Sequence, residues 1–258
     1  MDEYAIKLEN ICKEYKSAEG NRVVLQSINL YFPAGQSIAV VGPNGSGKST
    51  FLKIVLGLTK PDFGSVTILN NGKVNDISYI PQDYRNSFFP WLRLKTNLAL
   101  HLEKRNHDHL GVTLELSDHT LEKFIEAAKD VQLIVDLNKF PYQLSGGEQQ
   151  IMVLLQALLR KPKLIIADEP LSAIDIHKKE LILLYLSNFL IKEKPTTLIV
   201  SHDIEDALFL ADRVVVFSKN TGFVTADFLI EKQHPRPNEW RYEPEFRTLV
   251  KRALEAFE

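Results

Sequence analysis

Gly42-Pro43-Asn44-Gly45-Ser46-Gly47-Lys48-Ser49, followed by Thr50, puts three glycines, a lysine and hydroxyl groups into one short stretch. It fits G-x-x-x-x-G-K-[ST], in which glycines let successive backbone N–H groups converge on phosphate oxygens. A helix opening at the end of the loop adds the positive end of its dipole. Lys48 is then placed to reach the β- and γ-phosphates of a nucleotide, and the Ser49 hydroxyl to coordinate Mg2+. Farther along, the apolar run Leu164-Ile165-Ile166-Ala167 ends in Asp168-Glu169. Two acids at a strand end offer one carboxylate to a metal shell and the next to a water. In this reading Asp168 holds Mg2+ and Glu169 polarises the attacking water. Alone, the acidic pair is no more than a solvated turn. Downstream of a phosphate loop it completes a phosphoryl-transfer site, whose rate rests on positioning and charge neutralisation.

Such a site needs elements to hold it. Ser37-Ile38-Ala39-Val40-Val41 reads as a short buried strand leading into the loop. Phe51, Leu52, Val55 and Leu56 fall at helical spacing after it, over Ser49 to Leu58. The first forty residues read as β structure, with Ile6, Leu8 and Ile11, then Val23, Val24, Leu25, Ile28 and Leu30. From about residue 83 to 160 helical patterns dominate (Leu94–Leu102, Leu121–Val135, Gly147–Leu159), with a polar break near Lys104–His119. Strands return at Leu164–Ala167, Thr197–Val200 and Arg213–Phe217, alternating with helical stretches at about 174–192 and 203–211. Buried strands separated by helices predict an α/β core, a largely parallel sheet covered on both faces.

Composition narrows the class. The chain has 258 residues, 31 Lys plus Arg against 33 Asp plus Glu, and a formal net charge of −2. That balance lacks the basic footprint of a nucleic-acid binder. One cysteine, Cys12, excludes an internal disulfide framework and any Cys-built metal site, and agrees with a reducing compartment. The start, MDEYAIKLEN, lacks the pattern of a secretory signal. The greasiest stretch, Leu181 to Ile191, is far short of the roughly 20 residues that span a bilayer. His101, His107 and His109 with Asp108 fit no structural zinc spacing and read as a solvated loop.

Phosphate loops serve many enzymes, so other residues must discriminate. Leu144-Ser145-Gly146-Gly147-Glu148-Gln149-Gln150 resembles the signature motif of the ATP-binding-cassette family. It reads as a small-residue turn opening a helix, hence a second anion site. The resemblance implies that Leu144 to Gln149 act in trans, capping the γ-phosphate on the opposing subunit of a head-to-tail dimer. Gln82, in Tyr79-Ile80-Pro81-Gln82, matches the Q-loop glutamine that senses Mg2+ and the attacking water. Asp175, in Ser172-Ala173-Ile174-Asp175, matches the D-loop. His202 matches the switch histidine on the γ-phosphate. Tyr15 stands where the family places an aromatic stacked on adenine.

The resemblance covers residues 5 to 225 or so. It implies a P-loop NTPase core of the cassette type with an N-terminal antiparallel β subdomain and a mostly helical insertion. Residues 1–230 then form the nucleotide-binding domain, with the insertion at about 83–160, and 231–258 form a linker and last helix. ATP and Mg2+ are the implied cofactors, and Glu169, His202, Gln82 and Lys48 the catalytic set. Departures are Ile151 and Gln156, where the family usually carries arginine, Ala167 in place of a larger aliphatic, and Ile174 in place of leucine.

A single cassette of this length is similar to transporter subunits whose membrane subunits are separate chains. Asn86 to Leu98, with Phe89-Pro90-Trp91, resembles the nitrate/sulfonate/taurine importer branch, as does Pro235-Arg236-Pro237 with Tyr242 to Phe246. Exposed aromatics beside the Q-loop suit a groove for a short permease helix, though they also suit a helical core. The implied partners are a second ATPase subunit, transmembrane permease subunits and a substrate-binding protein, with the chain peripheral on the cytoplasmic face of the inner membrane. The ATPase of an exporter or lipid-trafficking complex, or a low-turnover nucleotide-dependent module, remain alternatives. Along the last helix, Phe246, Leu249, Val250, Leu254 and Phe257 share one side, for docking on its own domain or on a partner.

Overall fold

Two long strands, Tyr4–Ser17 (β1) and Gly20–Pro33 (β2), open the chain as an antiparallel ribbon with Leu8 opposite Leu30 and Ile11 opposite Ile28. β2 buries Leu25, Ile28, Leu30 and Phe32 and leaves the residues between them exposed; the period of two is broken once, at Ser27 (φ 52°). After Ser37–Val41 (β3) and Lys48–Val55 (α1), Phe63–Ile68 (β4) pairs with the free edge of β1, giving the order β2-β1-β4. This is the antiparallel subdomain the sequence implied. The computed structural model describes residues 4–17, 20–68, 77–103, 115–219 and 222–257; His107, Asp108 and His109 lie outside them.

The second sheet collects Ile77–Ile80 (β5), Leu164–Asp168 (β6), Thr196–Ser201 (β7), Arg213–Phe217 (β8) and Val224–Leu229 (β9) around β3, in the order β5-β6-β7-β3-β8-β9. All pairs are parallel except β8 with β9. Alternate residues of β3 feed different cores. Ile38 and Val40 join Phe51, Phe217 and the inward face of β1 and β2. Ala39 and Val41 join the helices on the opposite face, including Leu155 and Phe209. Burial on both faces explains why β3 shows no polar alternation.

Helices Leu94–Leu102 (α2), Asp118–Asp130 (α3) and Gly146–Leu159 (α4) lie between β5 and β6 in sequence. α4 is buried at every residue from Gln149 to Leu158, because it is sandwiched between its helical neighbours and β5. Ile151 and Gln156, uncharged where arginine is usual, are both inside; nothing in the structure explains Gln156, whose buried amide has no hydrogen-bond partner among the described residues. Ile176–Glu193 (α5), Ile204–Leu210 (α6) and Pro244–Glu255 (α7) complete the helical layer. Phe246, Leu249, Val250 and Phe257 do pack on that core. Leu254 does not; it is half exposed, and Ala253 takes the buried place. Residues 231–238, polar enough to read as a linker, carry the fully buried Arg236.

Candidate active site

The carboxyl ends of parallel strands are where a doubly covered sheet exposes its loops, and every predicted catalytic residue of this chain sits there. β3 ends at Val41, opposite Ser201 of β7, and β6 ends at Asp168, opposite Val200. Loop 42–47, the Asp168-Glu169 pair and the Ser201-His202 turn are therefore side by side. Gln82 lies two residues beyond β5, whose Ile80 is opposite Ala167.

The phosphate loop is built from close approaches. Gly45 and Gly47 have φ of 81° and 96°, in the left-handed region. A Cβ on Gly47 would sit 2.7 Å from the Val24 carbonyl oxygen, and one on Gly42 2.8 Å from that of Phe217. The loop runs straight into α1, with Lys48 as its first residue, Ser49 exposed and Thr50 half-buried behind it. Lys48 Nζ donates to the carbonyl oxygens of Gly42 (2.6 Å) and Pro43 (3.0 Å), which fixes the buried ammonium under the loop. Burial pushes its pKa below the ordinary lysine value, against the Glu169 and Asp168 carboxylates.

Glu169 is held in an uncommon backbone state, φ 51°. Five hydrogen bonds over-determine it, one of them from Ser172 N–H to its carbonyl (3.3 Å). Its N–H donates to Val200 O (2.9 Å), its carbonyl accepts from Gln150 Nε2 (3.0 Å), Oε1 accepts the His202 N–H (2.9 Å), and Oε2 meets His202 Nδ1 (2.6 Å). A carboxylate only accepts, so Nδ1 carries the proton and Nε2 is left facing outward. Strain of this kind, held by surrounding bonds, clusters at functional sites. Beside it, burial and then the Glu169 charge raise the Asp168 pKa, with Lys48 and Lys53 opposing. The raised Asp168 pKa, next to a second carboxylate, marks a site short of positive charge. A divalent cation at Asp168, with Ser49 and Gln82 as further oxygen donors, fits that deficit. The hydroxyl of Ser46, buried in the loop with no hydrogen-bond partner among the described residues, fits a loop shaped around an oxyanion.

Comparison with known proteins places the chain in a family. The family profile described as ABC transporter matches residues 25–172. The chain belongs to the ABC transporter family. The aliphatic sulfonates import ATP-binding protein SsuB of Bacillus cereus is 30% identical over 98% of this chain and 96% of its own length. SsuB 2 of Rhodococcus jostii is 34% identical over 91% and 88%, and the nitrate import ATP-binding protein NrtD of Synechocystis is 29% identical over 93% and 90%. Among solved structures, a dimeric bacterial ABC transporter cassette superposes with a TM-score of 0.73 at 30% identity, over 88% of this chain and 99% of that one. The same cassette in a post-hydrolysis state with ADP and Pi gives 0.72. This cassette is an ATPase that uses ATP and Mg2+.

Elsewhere in the cassette, the signature residues form a helix N-terminus. Ser145 caps α4: its Oγ accepts from Glu148 N–H (3.3 Å), while Glu148 Oε2 accepts from Ser145 N–H (2.8 Å) and Oγ–H (2.8 Å). Burial pushes the Glu148 carboxyl up, but those bonds, with Lys178 and Lys139, carry it below the usual value. Leu144 is buried and Gln149 ties the turn to the Pro141 and Leu144 carbonyls. Both glycines sit close to neighbours: a Cβ on Gly146 would meet Tyr84 Oη at 2.5 Å, and one on Gly147 the Ala173 carbonyl at 3.1 Å. Asp175 is exposed and caps α5, accepting from Lys178 N–H at 3.1 Å. Tyr15, on β1, is 42% exposed, with the Lys13 ammonium 5.6 Å from its ring.

Two residues were missed by motif reading. Gln150 reads in sequence only as the end of the signature, yet it is fully buried and bridges α4 to Glu169 and to Ala173 N–H (2.7 Å). Arg22 stands opposite Tyr15 across the β1–β2 pair, with its guanidinium beside Gly45 of the loop. No short motif marks either; the pairing register that places Arg22 is long-range information.

Proposed function

We propose that this chain is the energy-coupling ATPase of an importer for small anions of the nitrate or sulfonate type, acting through separate permease subunits. Two copies, or one copy and a similar subunit, sandwich two nucleotides between each phosphate loop and the opposing signature, with Asp175 reaching across. Lys48 and the Gly42–Ser46 amides hold the phosphates, Tyr15 stacks on adenine, and Asp168, Ser49 and Gln82 hold Mg2+, which supplies charge neutralisation on the phosphoryl group. Glu169 orients and deprotonates the water. His202 steadies Glu169 through Nδ1 and turns Nε2 toward the γ-phosphate.

The observation that carries the transporter reading is the aromatic loop after Gln82. Phe89 and Trp91 pack edge to face, ring centroids 5.6 Å apart, yet are 43% and 71% exposed. Buried Asn97 holds the loop open: Oδ1 accepts from Phe89 N–H (2.8 Å), and Nδ2 donates to Phe89 O, Leu92 O and Arg93 O. An ordered loop that presents rigid aromatics to solvent suits a partner helix rather than a core. Among the described residues no helix is long and apolar enough to cross a membrane, so the route to the bilayer runs through such a partner. The relatives named for sulfonate and nitrate import support the direction of transport and the class of solute. The test is ATP-driven uptake of nitrate and of an alkanesulfonate into cells carrying this subunit with its permease and substrate-binding protein. Trp91→Ala should abolish uptake while sparing ATP binding. Loss of uptake for neither anion on deleting the subunit, or ATP-driven efflux instead, would favour the exporter alternative.

A further inference from the structure

The C-terminal segment grips α6, the helix that starts immediately after the switch histidine. Arg236, fully buried, donates through Nη1 to the carbonyl oxygens of Leu208 (2.9 Å), Phe209 (2.9 Å) and Ala211 (2.7 Å). These are terminal carbonyls that a helix cannot satisfy internally. Its guanidinium also lies 4.9 Å from the Trp240 ring, which packs against Phe246 at 4.7 Å. At the other end, Arg241 Nη2 reaches Glu205 Oε2 (3.2 Å) and Asp206 Oδ1 (3.3 Å) in the first turn of α6. Asp206 in turn holds Lys179 of α5 (2.7 Å), which also binds Asp203 (3.1 Å), the N-cap of α6 and the neighbour of His202.

Apolar packing alone leaves this corner room to move. A cavity of about 70 Å³ lies between α5 and α6 behind the catalytic turn, lined by Glu169, Lys179, His202, Asp203 and Asp206 among others. The His202 side chain is 59% exposed, so its place rests on the bonds to Glu169 and on the backbone that carries it. We propose that Arg241, with Arg236, is a positioning residue for ATP hydrolysis: the C-terminal segment clamps α6 at both ends and, through the Asp203 cap, holds His202 against Glu169. This rests on the reading of Glu169 and His202 as catalytic.

Arg236 is too buried to be a clean probe, so the test uses Arg241→Met and Arg241→Lys in the full chain. Steady-state hydrolysis of MgATP should show kcat lowered about tenfold by Arg241→Met, with nucleotide Kd changed less than twofold and most of the rate regained in Arg241→Lys. The 15N resonances of the His202 imidazole report the clamp without turnover. In Arg241→Met the Nδ1-protonated signature should move toward the average of a freely exchanging ring. An unchanged kcat, or a lowered kcat with unchanged His202 resonances and a lowered Tm, would overturn the proposal. If instead Glu169→Gln hydrolyses ATP at the native rate, the catalytic reading has failed, while the resonances still decide whether the clamp exists.

Discussion

Gln150 Nε2 donates to the carbonyl of Glu169 across 3.0 Å, while its Oε1 accepts the N–H of Ala173 at 2.7 Å. One buried amide thus joins α4 to Glu169 and to the turn before Asp175. It also steadies a backbone whose φ of 51° is uncommon for glutamate. Gln150→Leu takes the partner from the Ala173 N–H and leaves the Glu169 carbonyl only its bond from Ser172 N–H, so it should cost about 1 kcal/mol of stability. It should also lower kcat more than KM, because the binding loop is untouched while Glu169 is loosened. Denaturant unfolding and steady-state kinetics check both parts; a stability loss with kcat unchanged would separate the bridge from the chemistry.

Glu169→Gln keeps the shape of the side chain and removes the base. Turnover should fall about 10²-fold or more, the range for losing a positioned general base, while ATP binding persists and the dimer accumulates with nucleotide trapped. Single-turnover hydrolysis and size-exclusion chromatography with MgATP read these outcomes. Turnover near the native rate would assign the water to another group.

The catalytic edge was legible because its residues are contiguous: a loop of nine residues, an acidic pair at a strand end, a histidine after another strand. The apolar runs likewise announced β3, β6, β7 and β8, and helix ends moved, as where α3 starts at Asp118 rather than Leu121. β4, β5 and β9, short and each broken by polar residues, were not announced. What stayed hidden was long-range. Arg236 reads as a surface cation until the fold wraps α6 around it, and Gln150 reads as motif until Glu169 is brought beneath it. Exposure of Phe89 and Trp91 depends on Asn97, a polar residue that helix periodicity counts merely as a gap.

Glu148 completes a capping box at the helix terminus that is to meet a phosphate of the opposing subunit. Its carboxylate engages the Ser145 hydroxyl, and in the proposed dimer it would repel that phosphate. Glutamine at the same place also closes a capping box. Glu148→Gln should therefore leave the Tm within a few degrees and tighten ATP-dependent dimerisation several-fold, with a weaker salt dependence. Sedimentation of the Glu169→Gln background at increasing MgATP measures it; weaker dimerisation would place the charge on the attractive side of the interface.

Two buried groups give folding stability opposite slopes in the same pH window. Asp206 titrates at about 6, raised above the ordinary 3.8 by burial and then, against the Lys179 hydrogen bond, by the Asp203 charge. The native state therefore holds a proton that the unfolded chain has lost, and this contribution is fully present below pH 4 and disappears as pH rises through 6. His234 titrates at about 4, lowered from 6.5 by burial and then by Arg236. There the unfolded chain binds the proton first, so its contribution is present above pH 6.5 and is lost as pH falls through 4. Each term is of the order of 3 kcal/mol, and between pH 4 and 6 they largely cancel. Together these two groups should add little net slope over that interval. Asp206→Asn should then make stability climb with rising pH, and His234→Gln should make it fall. Urea unfolding at half-unit steps from pH 4 to 7 tests the pair; slopes of the same sign in both variants would contradict the assignment.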